Sequence, residues 1–229
     1  MNPFRFLRFF ALSTALAVAV VTVCHGEPLP QPPDNLIAPA HEIDPVRVPE
    51  PWSDILARLQ KEGNIYSTFT ENRSLPFKKA PVVFTGEIRL SAQHGLSLHY
   101  LTPEDRRMIV DNQGVLLRDA AGHTRQGSSD PHALAATTAL LDVMRFDFKA
   151  LALHFNTYAA GDAKIWFFGF EPKDDDISRT LSRLTVMGEN DQVRRITIRK
   201  SARSSIEIIV GETKTNVTFT PDELHRYFR

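Results

Sequence analysis

Between Phe84 and Tyr100 apolar and polar residues alternate with a period of two, the repeat of an extended strand. Phe84, Gly86, Ile88 and Leu90 share one side, and Glu87 and Arg89 take the other. After the turn at His94-Gly95, Leu96, Leu98 and Tyr100 return to the first side. A sheet with one apolar face must cover that face. Packed side chains from a second layer would do so, as in many antiparallel sheets. A curved sheet whose concave face holds an apolar guest would do so equally.

Similar segments recur along the chain. Strands are expected over 65–73, 82–90, 96–101, 107–111 and 115–119, the last two joined by Asn112-Gln113-Gly114. Further strands are expected over 164–170, 181–187, 194–199, 205–210 and 213–219. Tight turns between them point to antiparallel pairing, because parallel neighbours need crossovers of about a dozen residues. Trp52, Ile55, Leu56 and Leu59 repeat at helical spacing between Pro51 and Gly63. Asp130-Pro131 would open a helix through residue 144, and Asp147 would cap one through His154. Thr220-Pro221-Asp222-Glu223 reads as a capping box for a last short helix. The fold class expected is α+β, one domain over 51–229.

The N-terminus reads as a targeting segment. Arg5 and Arg8 precede an apolar run from Ala11 to Val23, shorter than the roughly 20 residues a spanning helix needs. A cleaved signal peptide over 1–26 is expected, followed by a proline-rich, extended and loosely packed leader over 27–50. Cleavage would remove Cys24, the single cysteine, and with it any disulfide or thiolate chemistry. It would also remove Arg5 and Arg8, taking Lys and Arg from 27 to 25 against 27 Asp and Glu. A formal charge near −2 gives no field for nucleic acid.

Polar chemistry offers no strong site. The eight histidines show no helical pair backed by a third local ligand, so no metal and no cofactor are expected. Asp174-Asp175-Asp176 reads as a charged loop, and Ser201, Ser204 and Ser205 lack a nucleophile elbow. No catalytic residues are assigned, and the chain is read as a binding protein.

The order of elements and several local motifs resemble the periplasmic outer-membrane lipoprotein carrier (LolA-like) family. The motifs are Phe69-Thr70-Glu71-Asn72-Arg73, the Gly-opened strand Thr85-Gly86-Glu87-Ile88-Arg89-Leu90, the apolar strand 96–103 leading to Pro103, and the hairpin over 111–117. Trp166-Phe167-Phe168-Gly169-Phe170-Glu171-Pro172 and the strands over 184–188 and 193–198 extend the likeness to roughly residues 52–228. The resemblance implies a strongly curved antiparallel sheet, an incomplete β-barrel with helices as a lid over an apolar cavity. It departs at Ala92-Gln93, where carriers of lipoproteins have an Arg-Pro pair whose arginine ties down the lid.

The function implied by the resemblance is that of a periplasmic carrier, a monomer, taking an acyl-bearing lipid or lipoprotein from an inner-membrane donor to an outer-membrane acceptor or exporter. A non-catalytic periplasmic scaffold that holds a protein partner is the other reading. On the inner faces, the ligand-binding candidates are Phe84, Ile88, Leu90, Leu96, Leu98, Tyr100, Trp166, Phe168, Ile196 and Ile198; each would equally suit an ordinary core. Leu140, Leu141 and Met144 are the lid candidates, holding it by apolar packing without the arginine.

Overall fold

The computed structural model describes residues 28–127, 138 and 141–229. Its strands are β1 (Ile65–Ser74), β2 (Val82–Ser91), β3 (Gly95–Thr102), β4 (Arg106–Asp111), β5 (Gly114–Asp119), β6 (Thr124–Gln126), β7 (Phe155–Gly161), β8 (Ile165–Pro172), β9 (Arg183–Glu189), β10 (Gln192–Ser201) and β11 (Ser204–Val210). They form one antiparallel sheet in the order β6-β5-β4-β3-β2-β1-β11-β10-β9-β8-β7, open between β6 and β7. The helices are α1 (Trp52–Leu59), α2 (Phe148–His154), α3 (Asp175–Ser178) and α4 (Pro221–Tyr227), with further helical backbone at 141–144. The expected α+β class and open, curved sheet are therefore present.

Tyr100 on β3, Phe168 on β8 and Ile208 on β11 share one buried cluster, so the sheet wraps its concave face around a common core. Helix α1 fills that concavity with Ile55, Leu56 and Leu59, the stripe expected from its spacing. Gly86 stands opposite Phe69 in the β1–β2 register, and a methyl there would run into the Phe69 ring and the His99 carbonyl. Glycine in the middle of β2 thus lets an aromatic ring lie on the backbone. The Asp147 carboxylate accepts from the Ala150 N–H at 3.0 Å, and Thr220 and Glu223 complete the capping box of α4.

Three points of the sequence reading need correction. Residues 213–219 are not a strand: Lys214 alone bridges to Tyr66, and Asn216 turns the chain at φ 55°. Strands β6 and β7 were not expected. The first is three exposed polar residues, and in the second Asn156, Thr157 and the small Ala159-Ala160 blur the alternation. The leader is anchored at points along its length: Ile43 and Val48 pack partly buried against the main core. Leu36 is buried against Ala160, Phe167 and Met187 on the convex face, and Arg195 donates to the Pro30 and Leu29 carbonyls at 2.9 and 3.1 Å. Phe167 and Met187 would otherwise expose apolar area to water, and the leader offers the covering side chain. Most of the helix expected over 130–144 lies outside the described residues.

Beyond β11 the chain returns over the convex face of the other half-sheet. Phe228 is buried there, and Arg118 donates to the carbonyls of His225, Arg226 and Phe228 at 2.7 to 3.2 Å. These are the unpaired carbonyls at the end of α4, which a guanidinium satisfies together with the negative end of the helix dipole.

Candidate functional site

The apolar concavity is not filled to its end. Where β1 and β10 begin and β2 and β11 end, a cavity of about 330 Å³ is bounded by Leu59, Ile65, Ile88, Leu90, Val193 and Val210. Met144 and Phe146 close one side. Gln60, Glu62, Ser67, Ala92, Arg145 and Thr213 place polar groups and exposed backbone around it. Apolar walls with a few polar groups at one end are the usual make-up of a small-molecule site, and the volume lies within its typical span of about 300–1,000 Å³.

The segment that closes the cavity is held by its own geometry. Phe146 has φ 52°, its N–H donates to the Val143 carbonyl, and the Asp147 N–H reaches back to the Asp142 carbonyl at 2.9 Å. That is a Schellman ending, with phenylalanine at the left-handed position that glycine normally takes. Burial against Trp166, ring centroids 6.3 Å apart, offsets the strain. Gln60 at the end of α1 donates its amide to the Phe146 carbonyl at 2.9 Å, which ties the helix filling the core to the segment over the cavity.

Glu62 sits at the cavity edge, half-buried. Burial, reinforced by the Asp191 carboxylate, pushes its carboxyl up to about 7. The Arg145 Nε is buried with no hydrogen-bond partner among the described residues. A carboxyl that readily holds its proton and a guanidinium therefore stand beside an apolar interior.

Nine of the ten expected ligand residues are buried in the main core, and Phe84 packs partly buried against it. Only Ile88 and Leu90 among them border the cavity. Trp166 and Phe168 pack on Phe146, Phe148 and Trp52, while Leu96, Leu98, Ile196 and Ile198 lie within the core. Tyr100 closes the far end: edge-on to Phe69 and Phe84, it donates its hydroxyl to the buried Glu71 at 2.8 Å. Arg73 pairs with Glu71 and lies 4.4 Å over the Phe84 ring. Of the lid candidates, Leu141 is buried in the core, Met144 borders the cavity, and Leu140 lies outside the described residues.

Sequence reasoning missed Glu62, Arg145, Phe146, Val193 and Val210. They sit at element ends; Val210 merely continues the alternation of Ile206 and Ile208, and the others lie where periodicity stops. The signals for the others were the Gly63 stop beside Glu62, an isolated aromatic between two helical segments and the start of the strand at Val193. Position 92, where the Arg-Pro pair is missing, is an exposed residue of the β2–β3 turn and borders the cavity.

Comparison with known proteins gives the chain its family. The family profile for outer membrane lipoprotein carrier protein LolA-like matches residues 48–218. No curated protein matches. Among solved structures, the chain is similar to a LolA superfamily protein from Nitrosomonas europaea, with 7% identity, TM-score 0.43, and 75% of this chain and 96% of that one covered. It is also similar to a domain described as an outer membrane lipoprotein-sorting protein from Vibrio parahaemolyticus, with 8% identity, TM-score 0.46, and 76% and 94% covered. A third is the complex of MucA and MucB from Pseudomonas aeruginosa, with 14% identity, TM-score 0.44, and 76% and 59% covered. With a profile match spanning its folded part from just before α1 into the segment after β11, this chain belongs to the outer membrane lipoprotein carrier protein LolA-like family.

Proposed function

We propose that the mature chain is a periplasmic carrier that takes up an acyl-bearing molecule, a lipid or lipoprotein, from an inner-membrane donor and releases it to an outer-membrane acceptor or exporter. The observation that carries this reading is the cavity left open under Met144 and Phe146 in an otherwise packed concave face. An acyl chain entering it would gain about 0.8 kcal/mol per buried methylene, so ten methylenes supply roughly 8 kcal/mol before ordering costs. The cavity is only partly enclosed by a short, strained segment, which suits a protein that must also release its guest.

The departure at Ala92-Gln93 supports apolar selection of cargo. With alanine beside the cavity, no guanidinium from this turn can fix a polar head or tie down the lid; Arg145 on the closing segment is the cation left at the cavity, and chain length and shape select what enters its apolar part. Native mass spectrometry of protein taken gently from the periplasm, followed by extraction of bound material, tests the reading. Bound acyl chains are expected. A chain that is consistently empty, and that takes up no fatty-acid probe, would favour a scaffold role instead.

A further inference from the structure

The end of the sheet opposite the cavity carries a second feature. Ser74 pairs with Ser205, so the β1–β2 loop and the β10–β11 turn emerge side by side, and Lys78, Lys79 and Arg203 border one shallow depression between them. In the loop, the Lys78 N–H donates to the Leu75 carbonyl at 3.1 Å, closing a turn with Pro76 at its second position. Phe77 is thereby held at the apex, with 80% of its surface exposed, more than any other large apolar side chain among the described residues. Val83 and Leu101 are exposed toward the same end, as the pairings Arg73↔Val82 and Thr85↔Thr102 require.

The two loops around this aromatic carry one sign of charge; the exposed acids at this end, Glu104 and Asp105 after β3 and Asp174 and Asp175 after β8, lie on other loops. Lys78, Lys79, Arg199, Lys200 and Arg203 are all exposed, and none has an ion-pair partner among the described residues. No acidic residue occurs in 74–82 or 199–206. Glu207, the nearest acid along β11, is engaged by Arg195 at 3.1 Å. The whole chain carries 27 basic and 27 acidic residues, so outside these five the acids are in excess, 27 against 22, and the cluster is local.

We propose that this end of the sheet docks the chain on an anionic bilayer surface, with Phe77 entering the headgroup region and the five basic side chains facing lipid phosphates. A single projecting aromatic offers too little apolar area for the core of a protein interface. Set among lysines and arginines, it has the composition of an interfacial membrane anchor. Strand β1 is 10 residues long, so the cavity lies about 30 Å away, at the other end of the sheet. A docked chain therefore turns its cavity away from the bilayer beneath it, toward a partner in the aqueous space. Docking at this surface does not depend on what the cavity holds.

Sedimentation with vesicles of phosphatidylcholine alone, or of an equimolar mixture with phosphatidylglycerol, tests the proposal. Parent and variants are all used as the mature chain without residues 1–26, so the apolar run of the signal adds no vesicle binding of its own. The parent chain is expected to prefer the anionic vesicles and to detach as salt rises. Lys78→Gln with Lys79→Gln should weaken binding about 30-fold, at about fivefold per basic residue near an anionic surface. Phe77→Ser should weaken it about tenfold, whereas Val46→Ser, which removes another exposed apolar side chain, in the leader, should leave it unchanged. A Phe77→Trp variant should gain blue-shifted emission on anionic vesicles only. Equal binding to neutral vesicles, insensitivity to the Lys78 and Lys79 changes, or no vesicle binding at all would overturn the proposal; the last would assign the surface to an acidic protein. Because these variants lie far from the cavity, fatty-acid uptake measured in parallel should equal that of the parent, which keeps the two readings separable.

Discussion

The Trp166 indole lies against the backbone of Gly188, its register partner on β9, and its Nε1–H donates to the Asn190 carbonyl at 2.8 Å. A methyl at position 188 would overlap the ring, so the largest side chain of the core can lie there only because its neighbour has no side chain. Gly188→Ala is expected to cost about 2–3 kcal/mol by overpacking, seen in urea unfolding, and to shift the tryptophan emission. A variant as stable as the parent would mean that the indole has another low-energy position.

Ala92→Trp should separate cavity from fold. The residue is exposed on a turn yet borders the cavity, so a large side chain can enter the opening without displacing core. Unfolding free energy is expected to stay within about 0.5 kcal/mol of the parent. Binding of a fluorescent fatty acid should fall by tenfold or more. Unchanged probe binding would place the ligand elsewhere.

At position 146 the backbone and the side chain make opposing demands. Removing the buried ring costs about 3–5 kcal/mol in Phe146→Ala. Phe146→Gly loses the same contacts but relieves a left-handed backbone that costs about 1 kcal/mol or more for any residue with a Cβ. The glycine variant should therefore be the more stable of the two by about 1 kcal/mol. The usual helix order of Ala over Gly would be reversed, and chemical denaturation would read the difference.

Glu62 sets an expected pH dependence. Its carboxyl titrates at about 7 in the folded chain, above its ordinary value of 4.5, so the folded state holds a proton that the unfolded state has lost. Stability from this group is fully present below about pH 4.5 and falls as pH rises through about 7. Because the side chain is only half-buried, the loss should be about 1–2 kcal/mol after solvent screening, well short of the full shift. Glu62→Gln should flatten this part of the stability profile and raise stability at mildly alkaline pH. A profile unchanged by the substitution would show that the carboxyl titrates normally.

Tyr100→Phe tests the polar plug at the far end. Burial and the adjoining Glu71 carboxylate push the phenol up, so it stays a proton donor across the physiological range. Removing the hydroxyl leaves one oxygen of the buried Glu71 with a lost donor, at an expected cost of about 1–3 kcal/mol. Fatty-acid uptake should be unaffected, since Tyr100 does not border the cavity.

Most strands were legible because each buries one face and the period of two survives in the letters. The hairpin from Phe84 to Tyr100, the α1 stripe and both N-terminal caps follow from local spacing and hydrogen-bonding chemistry alone. Edge strands escaped where that signal fades: β6 buries none of its three residues, and the small Ala159-Ala160 of β7 carry little contrast. The leader misled for a related reason. Its prolines rule out a ladder but not packing, and Leu36 finds a site made by Phe167 and Met187, more than a hundred residues away.

Sequence by itself determined that this chain would build an antiparallel sheet with an apolar face, because side-chain alternation is a property of neighbours. Which of those apolar residues meet a cavity and which meet one another was decided only in three dimensions. Leu96, Leu98, Trp166 and Phe168 read no differently from Ile88 and Leu90, yet packed neighbours fill the space before the first four, and space remains before the last two. Void volume depends on how far each partner's side chain reaches across the sheet, and the residues that settle it, Phe146 and Val193 among them, come from distant parts of the chain.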